Sequence, residues 1–452
     1  MKRIKIIGAG LAGCEAAWQC ARYGLHVQLH EMRPIKSTPA HQTDKFAELV
    51  CSNSLKSESE NTAPWLLKEE MRGAGSLLLE IARETQVPAG HALAVDREAF
   101  AVNVTERLSN ELRIEIVREE VTGINETDAE EITIIATGPL TSDALSHEIA
   151  RLSGAGHLYF YDSISPIVDA DSIDMSRVYF AARYGKGSAD YINCPLNKEE
   201  YDRFCDALAH AQRVEGHDWE KLNYFEACLP IEEIVRRGRD TLRFGPMKPV
   251  GLDDPATGKR PYAVVQLRRE NLRADSYNLV GFQNHLKYDE QARILRLIPG
   301  LENAKFLRFG QIHRNTYINA PSLLTGTLNM QQHPNVFFAG QISGVEGYTE
   351  SIATGMLAGI QVARIVQGLP PIPPPRETAL GSLVHYICHA EAKTFQPANI
   401  TFDLLPQLDE DTRRRVRDKR QRHKLVCQNA LQSCAAWLEG LADIKSSYQT
   451  LS

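Results

Sequence analysis

The tightest constraint on the fold lies within the first 31 residues. Ile4, Ile6 and Ile7 form a short apolar run that reads as a buried parallel strand. It enters Gly8-Ala9-Gly10-Leu11-Ala12-Gly13, a match to G-x-G-x-x-G. Leu11 to Tyr23 has helical spacing and stops at Gly24. His26 to His30 reads as a second strand, closed by Glu31. The glycine string alone is weak. Strand, turn, helix, strand and acid within a unit of about 30 residues is the context that the dinucleotide fingerprint requires. Gly8 permits the tight turn, Gly10 lets the backbone approach a pyrophosphate, and Gly13 allows close helix–strand packing. The N–H groups at the helix start face the phosphates. Glu31 can accept both ribose hydroxyls, and an acid there disfavours the 2′-phosphate of NADP.

A second glycine turn follows an apolar strand much later, at Asn335–Ala339 and Gly340-Gln341, with a helix expected over Ser351–Gln367. Two-part binding by distant segments favours FAD over NAD. Between the two segments the text changes. Thr137-Gly138-Pro139 is a sharp exit, and residues 155–325 are dense in aromatics and proline turns. The expected fold is therefore α/β. A Rossmann-like, glutathione-reductase-like FAD-binding domain is built from residues 1–150 and 326–452. It is interrupted by an α+β domain over 151–325. Within the first part, residues 32–64 read as a long functional loop with a short helix near Phe46–Val50. Leu66–Glu84 reads as helical through Gly73 and Gly75, and Ala99–Leu108 as a further helix. Arg113–Val117 and Ile132–Ala136 read as strands. Pro370–Pro375 is a stiff linker, and the chain from about 410 is a helical basic tail.

The 452 residues are 43% hydrophobic and 24% charged, which suits a globular protein with an ample core. No apolar run approaches the ~20 residues that span a bilayer, and the opening apolar run is too short for a signal peptide. A cytoplasmic location, with no membrane partner, is the expectation. Nine cysteines without a Cys-x-x-Cys pair point away from zinc, iron–sulfur or disulfide frameworks, so no metal is expected. The net charge of −6 does not advertise nucleic-acid binding. Yet Arg413, Arg414, Arg415, Arg417, Lys419, Arg420, Arg422 and Lys424 crowd twelve positions with one acid, Asp418. That run is either a solvated helix face or an RNA contact.

Two thiols sit in suggestive places. Cys51 lies inside the long loop, and Cys228 precedes Arg236, Arg237 and Arg239 in the expected insertion. A loop thiol near a helix start or near arginine can become a nucleophile; a buried inert cysteine is the plainer reading of each. Cys14, Cys20, Cys427 and Cys434 read as structural.

Long strings across nearly the whole chain resemble the folate- and FAD-dependent tRNA (uracil-5-)-methyltransferase family. The carriers are the opening glycine loop with Glu31–Pro34, Glu48–Lys56 around Cys51, Leu67–Arg72 and Ala94–Arg97. They continue through Asn193–Pro195, Gly238–Val250, Thr257–Leu267, Leu297–Glu302, His313–Thr316 and Gly340–Ser351. A related flavoprotein family that modifies the tRNA wobble uridine shares the cofactor unit but not the Gly238–Val250 block. His91, Gly185 and Ala227 depart from the pattern; none removes a proposed chemical group.

The resemblance implies FAD as cofactor, with 5,10-methylenetetrahydrofolate and NAD(P)H as cosubstrates. Reduced flavin would take up the methylene, and the Cys228 thiolate would add to C6 of uracil so that C5 can accept the carbon. Cys51 would be the second thiol, near the flavin. His285, His313, Arg314 and Asn315 are candidate folate contacts, and Tyr348 a candidate for the flavin face or for core packing. Lys248, Arg268, Arg414, Arg417 and Arg420 would meet RNA phosphate. The partner would be the T-arm of tRNA, whose tucked uridine must be exposed as base-flipping enzymes do. The same chemistry on ribosomal RNA, or a small-molecule flavin oxidoreductase, is the alternative.

Overall fold

The computed structural model describes residues 2–38, 40–154, 158–163, 165–185, 188–214, 229–310 and 312–443. Five parallel strands form one sheet in the order Val336–Phe338, Glu131–Ile135, Arg3–Ile7, Val27–Glu31, Ile114–Arg118. Ile6, Leu29, Ile134 and Phe337 are fully buried in it, as befits a parallel sheet covered on both faces. The Leu11–Arg22 helix packs on the Tyr348–Val366 helix across a glycine seam. A Cβ at Gly355 or Gly359 would run into the backbone of Ala12 or Ala16.

Thus the edge strand Val336–Phe338 comes from some 200 residues after the Glu131–Ile135 strand it pairs with, which itself lies beside Arg3–Ile7. In between lies a six-stranded antiparallel sheet: Tyr179–Ala181, Tyr191–Leu196, Ala263–Arg269, Ser276–Leu279, Ile167–Asp169, Phe306–Arg308. It has its own core, built on Tyr201, Phe204, Phe282 and Ile294. The chain passes between the two sheets through paired antiparallel strands, Leu158–Ser163 outbound and Ile312–Tyr317 on return.

Three local expectations are corrected. Phe46–Val50 is irregular, not helical. Ala47 has a φ of 48°, and its N–H donates to the Ala9 carbonyl at 2.9 Å, so a contact with the glycine loop replaces a helical bond. The expected Leu66–Glu84 helix is two, Ala63–Gly73 and Leu77–Glu84. Gly75 breaks it with a φ of 76°, and the Ser76 hydroxyl caps the second helix by accepting from Leu79 N–H. The helix expected from Ser351 starts at Tyr348.

The C-terminal tail holds two basic helices, Glu410–Arg415 and Lys419–Glu439, separated at Val416–Asp418. The second lies against the Ala63–Gly73 helix, with Leu438 over Gly73. Buried Arg364 locks this end by pairing with Asp443 at 2.6 Å and donating to the Pro370 carbonyl at 2.7 Å. Among the described residues no helix is long and apolar enough to cross a membrane. No group of three or more His, Cys, Asp or Glu among them could hold a metal ion.

Candidate cofactor and active site

The glycine loop leaves the carboxyl end of the Arg3–Ile7 strand with Gly8 at a φ of 101°. A Cβ on Gly8 would meet the Ala136 carbonyl oxygen at 2.7 Å, and one on Gly13 would collide with the Gly8 carbonyl. Those two glycines are required by the protein itself. Gly10 is different: a Cβ there meets nothing nearer than the Ala136 oxygen at 4.0 Å. The space beside it is room for a ligand. Gly10 caps the Leu11–Arg22 helix, which has no acid in its first turn, so its N–H groups face that space uncompensated.

Glu31 borders the same cavity. Its carboxylate accepts from Ala9 N–H at 3.1 Å and from Arg33 Nε at 2.9 Å. Burial pushes the carboxyl up, but the Arg33 hydrogen bonds and charge outweigh it and hold Glu31 below the ordinary range. Arg33 is itself buried and bridges to Glu48 at 3.1 Å. His41, on the same cavity, is lowered to about 4, by burial and by Arg33, and stays neutral.

The second glycine turn closes on the first. Gly340 has a φ of 77°, its N–H donates to Thr354 Oγ1 at 2.8 Å, and a Cβ on it would meet the Ala12 Cβ at 2.9 Å. Gln341 follows and donates to Glu346 at 2.7 Å. Tyr348, at the start of the next helix, reaches across to the long loop. Its hydroxyl accepts from the backbone N–H of Cys51 at 2.8 Å and of Ser52 at 3.1 Å. Burial raises the Tyr348 phenol, so it remains protonated.

Other ties hold the Cys51 segment. Asn53 is fully buried and its amide donates to the Val95 and Arg269 carbonyls, both at 2.9 Å. Arg97 donates to the Leu49 carbonyl at 2.6 Å and pairs with Glu270 at 2.7 Å. Buried Lys68 gathers the Leu55 and Ser57 carbonyls at 2.8 and 2.7 Å. Arg269 and Glu270 belong to the antiparallel sheet and its following turn, so the Cys51 loop is stapled to both units at their junction. Arg97 and Arg308 place positive charge beside this thiol.

A family profile described as "Glucose inhibited division protein A" matches residues 3–370. A Koribacter versatilis protein named methylenetetrahydrofolate--tRNA-(uracil-5-)-methyltransferase TrmFO is 76% identical over 436 residues, covering 96% of this chain and 98% of its own. The chain belongs to that methyltransferase family. A Solibacter usitatus member of the same name is 65% identical, covering 96% of this chain and 98% of its own. The structure of Aquifex aeolicus GidA superposes with a TM-score of 0.73 at 17% identity, covering 99% of this chain and 75% of that one, a likeness of fold.

In this family member, the glycine loop, Glu31, Gly340, Gln341, Tyr348 and Cys51 come from four segments gathered at the carboxyl ends of the parallel strands. Asn315 is buried on the returning strand, which touches this end where Thr316 N–H donates to the Pro139 carbonyl at 3.0 Å. The side chains of His313 and Arg314 lie outside the described residues, and so does Cys228 altogether.

His285 is buried against the segments that flank residues 215–228. Its N–H donates to Glu232 at 2.7 Å, and its carbonyl accepts from Val214. Burial, then Arg213, lowers its imidazole to about 3. Lys248 is half-buried, and Arg268 is buried within its sheet opposite Asn278. Arg414, Arg417 and Arg420 are exposed on the tail, apart from the cofactor cavity.

Sequence reasoning overlooked Asn53 and Glu232, and gave Arg33 and Arg97 no role. Glu232 is buried, its carboxyl lifted by burial to about 7, and its Oε2 has no hydrogen-bond partner among the described residues. The string Pro230-Ile231-Glu232-Glu233, which begins two residues after Cys228, was a signal available in the text, since an acid at a helix start is common but a buried one is not.

Proposed function

We propose that this chain methylates C5 of a T-arm uridine in cytoplasmic tRNA. 5,10-Methylenetetrahydrofolate is the carbon donor, FADH2 the reductant, and NAD(P)H re-reduces the flavin. Family membership supports the reaction class, and one observation of geometry carries the reading to this chain. The Cys51 loop is pinned between Tyr348 of the dinucleotide unit and the Arg269–Glu270 end of the antiparallel sheet. A thiol is thereby fixed where cofactor and substrate units meet.

The residues present fit FAD. Open space beside Gly10 and the bare helix start would hold the pyrophosphate, and Glu31 would accept from ribose hydroxyls. Gly340 and Gln341 supply the second half of the cradle. Bound FAD supplies the electrons that turn a methylene into a methyl group.

The remaining work falls to side chains. Uracil C5 is a poor nucleophile in the neutral base. Addition of the Cys228 thiolate to C6 pushes an electron pair to C5, which takes up the one-carbon unit. Loss of the C5 proton and departure of the thiolate then restore the ring. We assign Cys51 to proton removal at C5, with Arg97 and Arg308 supplying the positive field beside it. His285, buried and neutral, is retained as our candidate pterin contact, and Asn315, Arg314 and His313 belong to the returning strand that approaches the cofactor end. Residues 151–325 act as the inserted RNA-facing domain.

The test is an assay of purified protein with unmodified tRNA, methylenetetrahydrofolate and NADH, read by nucleoside analysis. 5-Methyluridine in the T-arm is the expected product. Turnover of NADH with a small substrate and no RNA binding at low salt would replace this reading with an oxidoreductase.

A further inference from the structure

We infer that Phe244 is a stacking contact for an unpaired base of the substrate RNA, presented with Tyr184 and Lys248 on one rigid surface of the antiparallel unit. The inference rests on the tRNA reading above and gives its RNA-facing surface specific residues.

Phe244 is 80% exposed at the end of the one-turn helix Thr241–Phe244. An exposed phenylalanine is ordinary when its segment can move; this one cannot. Leu242 and Met247 on either side are fully buried, and Met247 N–H donates to the Leu242 carbonyl at 2.9 Å. Arg243 lies 3.6 Å over the Tyr262 ring and donates to the Tyr262 carbonyl at 2.9 Å. Pro246 packs so close to Gly281 that a Cβ there would sit 2.9 Å from it. The backbone is fixed from several directions, and the ring is left pointing outward.

A second exposed aromatic is tied to the same segment. Tyr184 has a left-handed φ of 62°, a conformation that costs any residue but glycine. Its N–H donates to the Gly251 carbonyl at 2.7 Å, and its ring occupies the place a Gly251 side chain would need. Neighbouring Arg183 donates to the Lys248 and Val250 carbonyls at 2.9 and 2.7 Å. The strain at Tyr184 therefore holds an aromatic face in the open rather than in a core.

The electrostatics fit an RNA partner. Residues 236–260 carry seven Lys and Arg against three Asp; Arg236, Arg239, Arg243 and Arg260 pair with acids, while Lys259 makes no ion pair among the described residues. Lys248 makes no ion pair among the described residues. Rigid aromatic faces next to cations are how proteins hold unstacked bases, and apolar side chains also wedge into base steps when a base is turned out. The Ile231–Arg237 helix packs on the one-turn helix that ends at Phe244, and it begins three residues after Cys228.

The experiment compares FAD-loaded wild type, Phe244→Ala and Phe244→Trp for binding of an unmodified tRNA transcript at low salt and for its KM. Loss of one base–aromatic stack should weaken RNA binding by about 5- to 150-fold and raise KM, with FAD content and melting temperature unchanged. Phe244→Trp should restore binding. Wild-type affinity in Phe244→Ala, or a loss that Trp does not restore, overturns the inference. So does a changed oligomeric state at unchanged RNA affinity, which would make the surface a protein contact. If wild type itself binds no RNA, the tRNA reading falls first, and the two failures are distinguishable.

Discussion

The Tyr348 hydroxyl accepts the Cys51 backbone N–H at 2.8 Å, joining positions 297 residues apart in the sequence. It also accepts the Ser52 N–H, so Tyr348→Phe orphans two donors at once. An unsatisfied buried donor costs about 1–3 kcal/mol, and these two are half-buried, so the low end of that range applies. Loosening a reacting loop by an ångström costs about 100-fold in rate. Tyr348→Phe should therefore keep FAD, lose stability on that scale in denaturant unfolding, and slow single-turnover methyl transfer by about 10- to 100-fold. Unchanged turnover would remove the hydroxyl from the loop's support.

Gly10 and Gly13 should respond oppositely to the same change. Gly13→Ala places its methyl into the Gly8 carbonyl and should abolish soluble folded protein. Gly10→Ala has room in the bare protein, so it should fold yet bind FAD weakly. Flavin absorbance of the purified variant measures this. A Gly10→Ala protein with full FAD would mean that the pyrophosphate lies elsewhere.

Glu232 should leave a signature in stability against pH. Burial raises its carboxyl from 4.5 to about 7, so the folded state holds the proton more tightly than the unfolded chain. Its contribution is full below about pH 4.5 and is lost as pH rises through about 7, on the order of 3 kcal/mol in all. Glu232→Gln should flatten that fall. The difference between the two proteins separates Glu232 from Glu70, whose buried carboxyl is also raised, to about 8. Parallel stability curves for wild type and variant would show that Glu232 is not the group responsible.

The tail arginines should act through salt. Arg414, Arg417 and Arg420 are exposed, and Arg414 pairs with Glu410, itself equally open to solvent. Replacing all three by alanine should lower tRNA affinity at low salt and reduce the slope of log K against log salt by about 2–3. An unchanged slope would leave these residues a solvated face.

Much of the cofactor unit was legible because its signals are local. An isoleucine-rich first strand, the glycine loop and a second strand ending at Glu31 lie within 31 residues, and their spacing dictates the βαβ unit. The reading failed where distant atoms decide. Phe46–Val50 has helical composition, but the Ala9 carbonyl and the Thr105 hydroxyl claim its N–H groups. Gly75 was visible as a possible stop and was read through, though its positive φ ends the helix. Asn53, Arg97 and Glu232 follow no period; their roles arise from partners on other segments, which spacing cannot reveal.

The decisive measurement is transfer of labelled methylene carbon from methylenetetrahydrofolate into tRNA by Cys228→Ala beside wild type, both loaded with FAD. Wild type should place the label in 5-methyluridine, and the variant should place none while retaining its flavin. Label in the variant's product at the wild-type rate would mean that uracil is activated without the Cys228 sulfur.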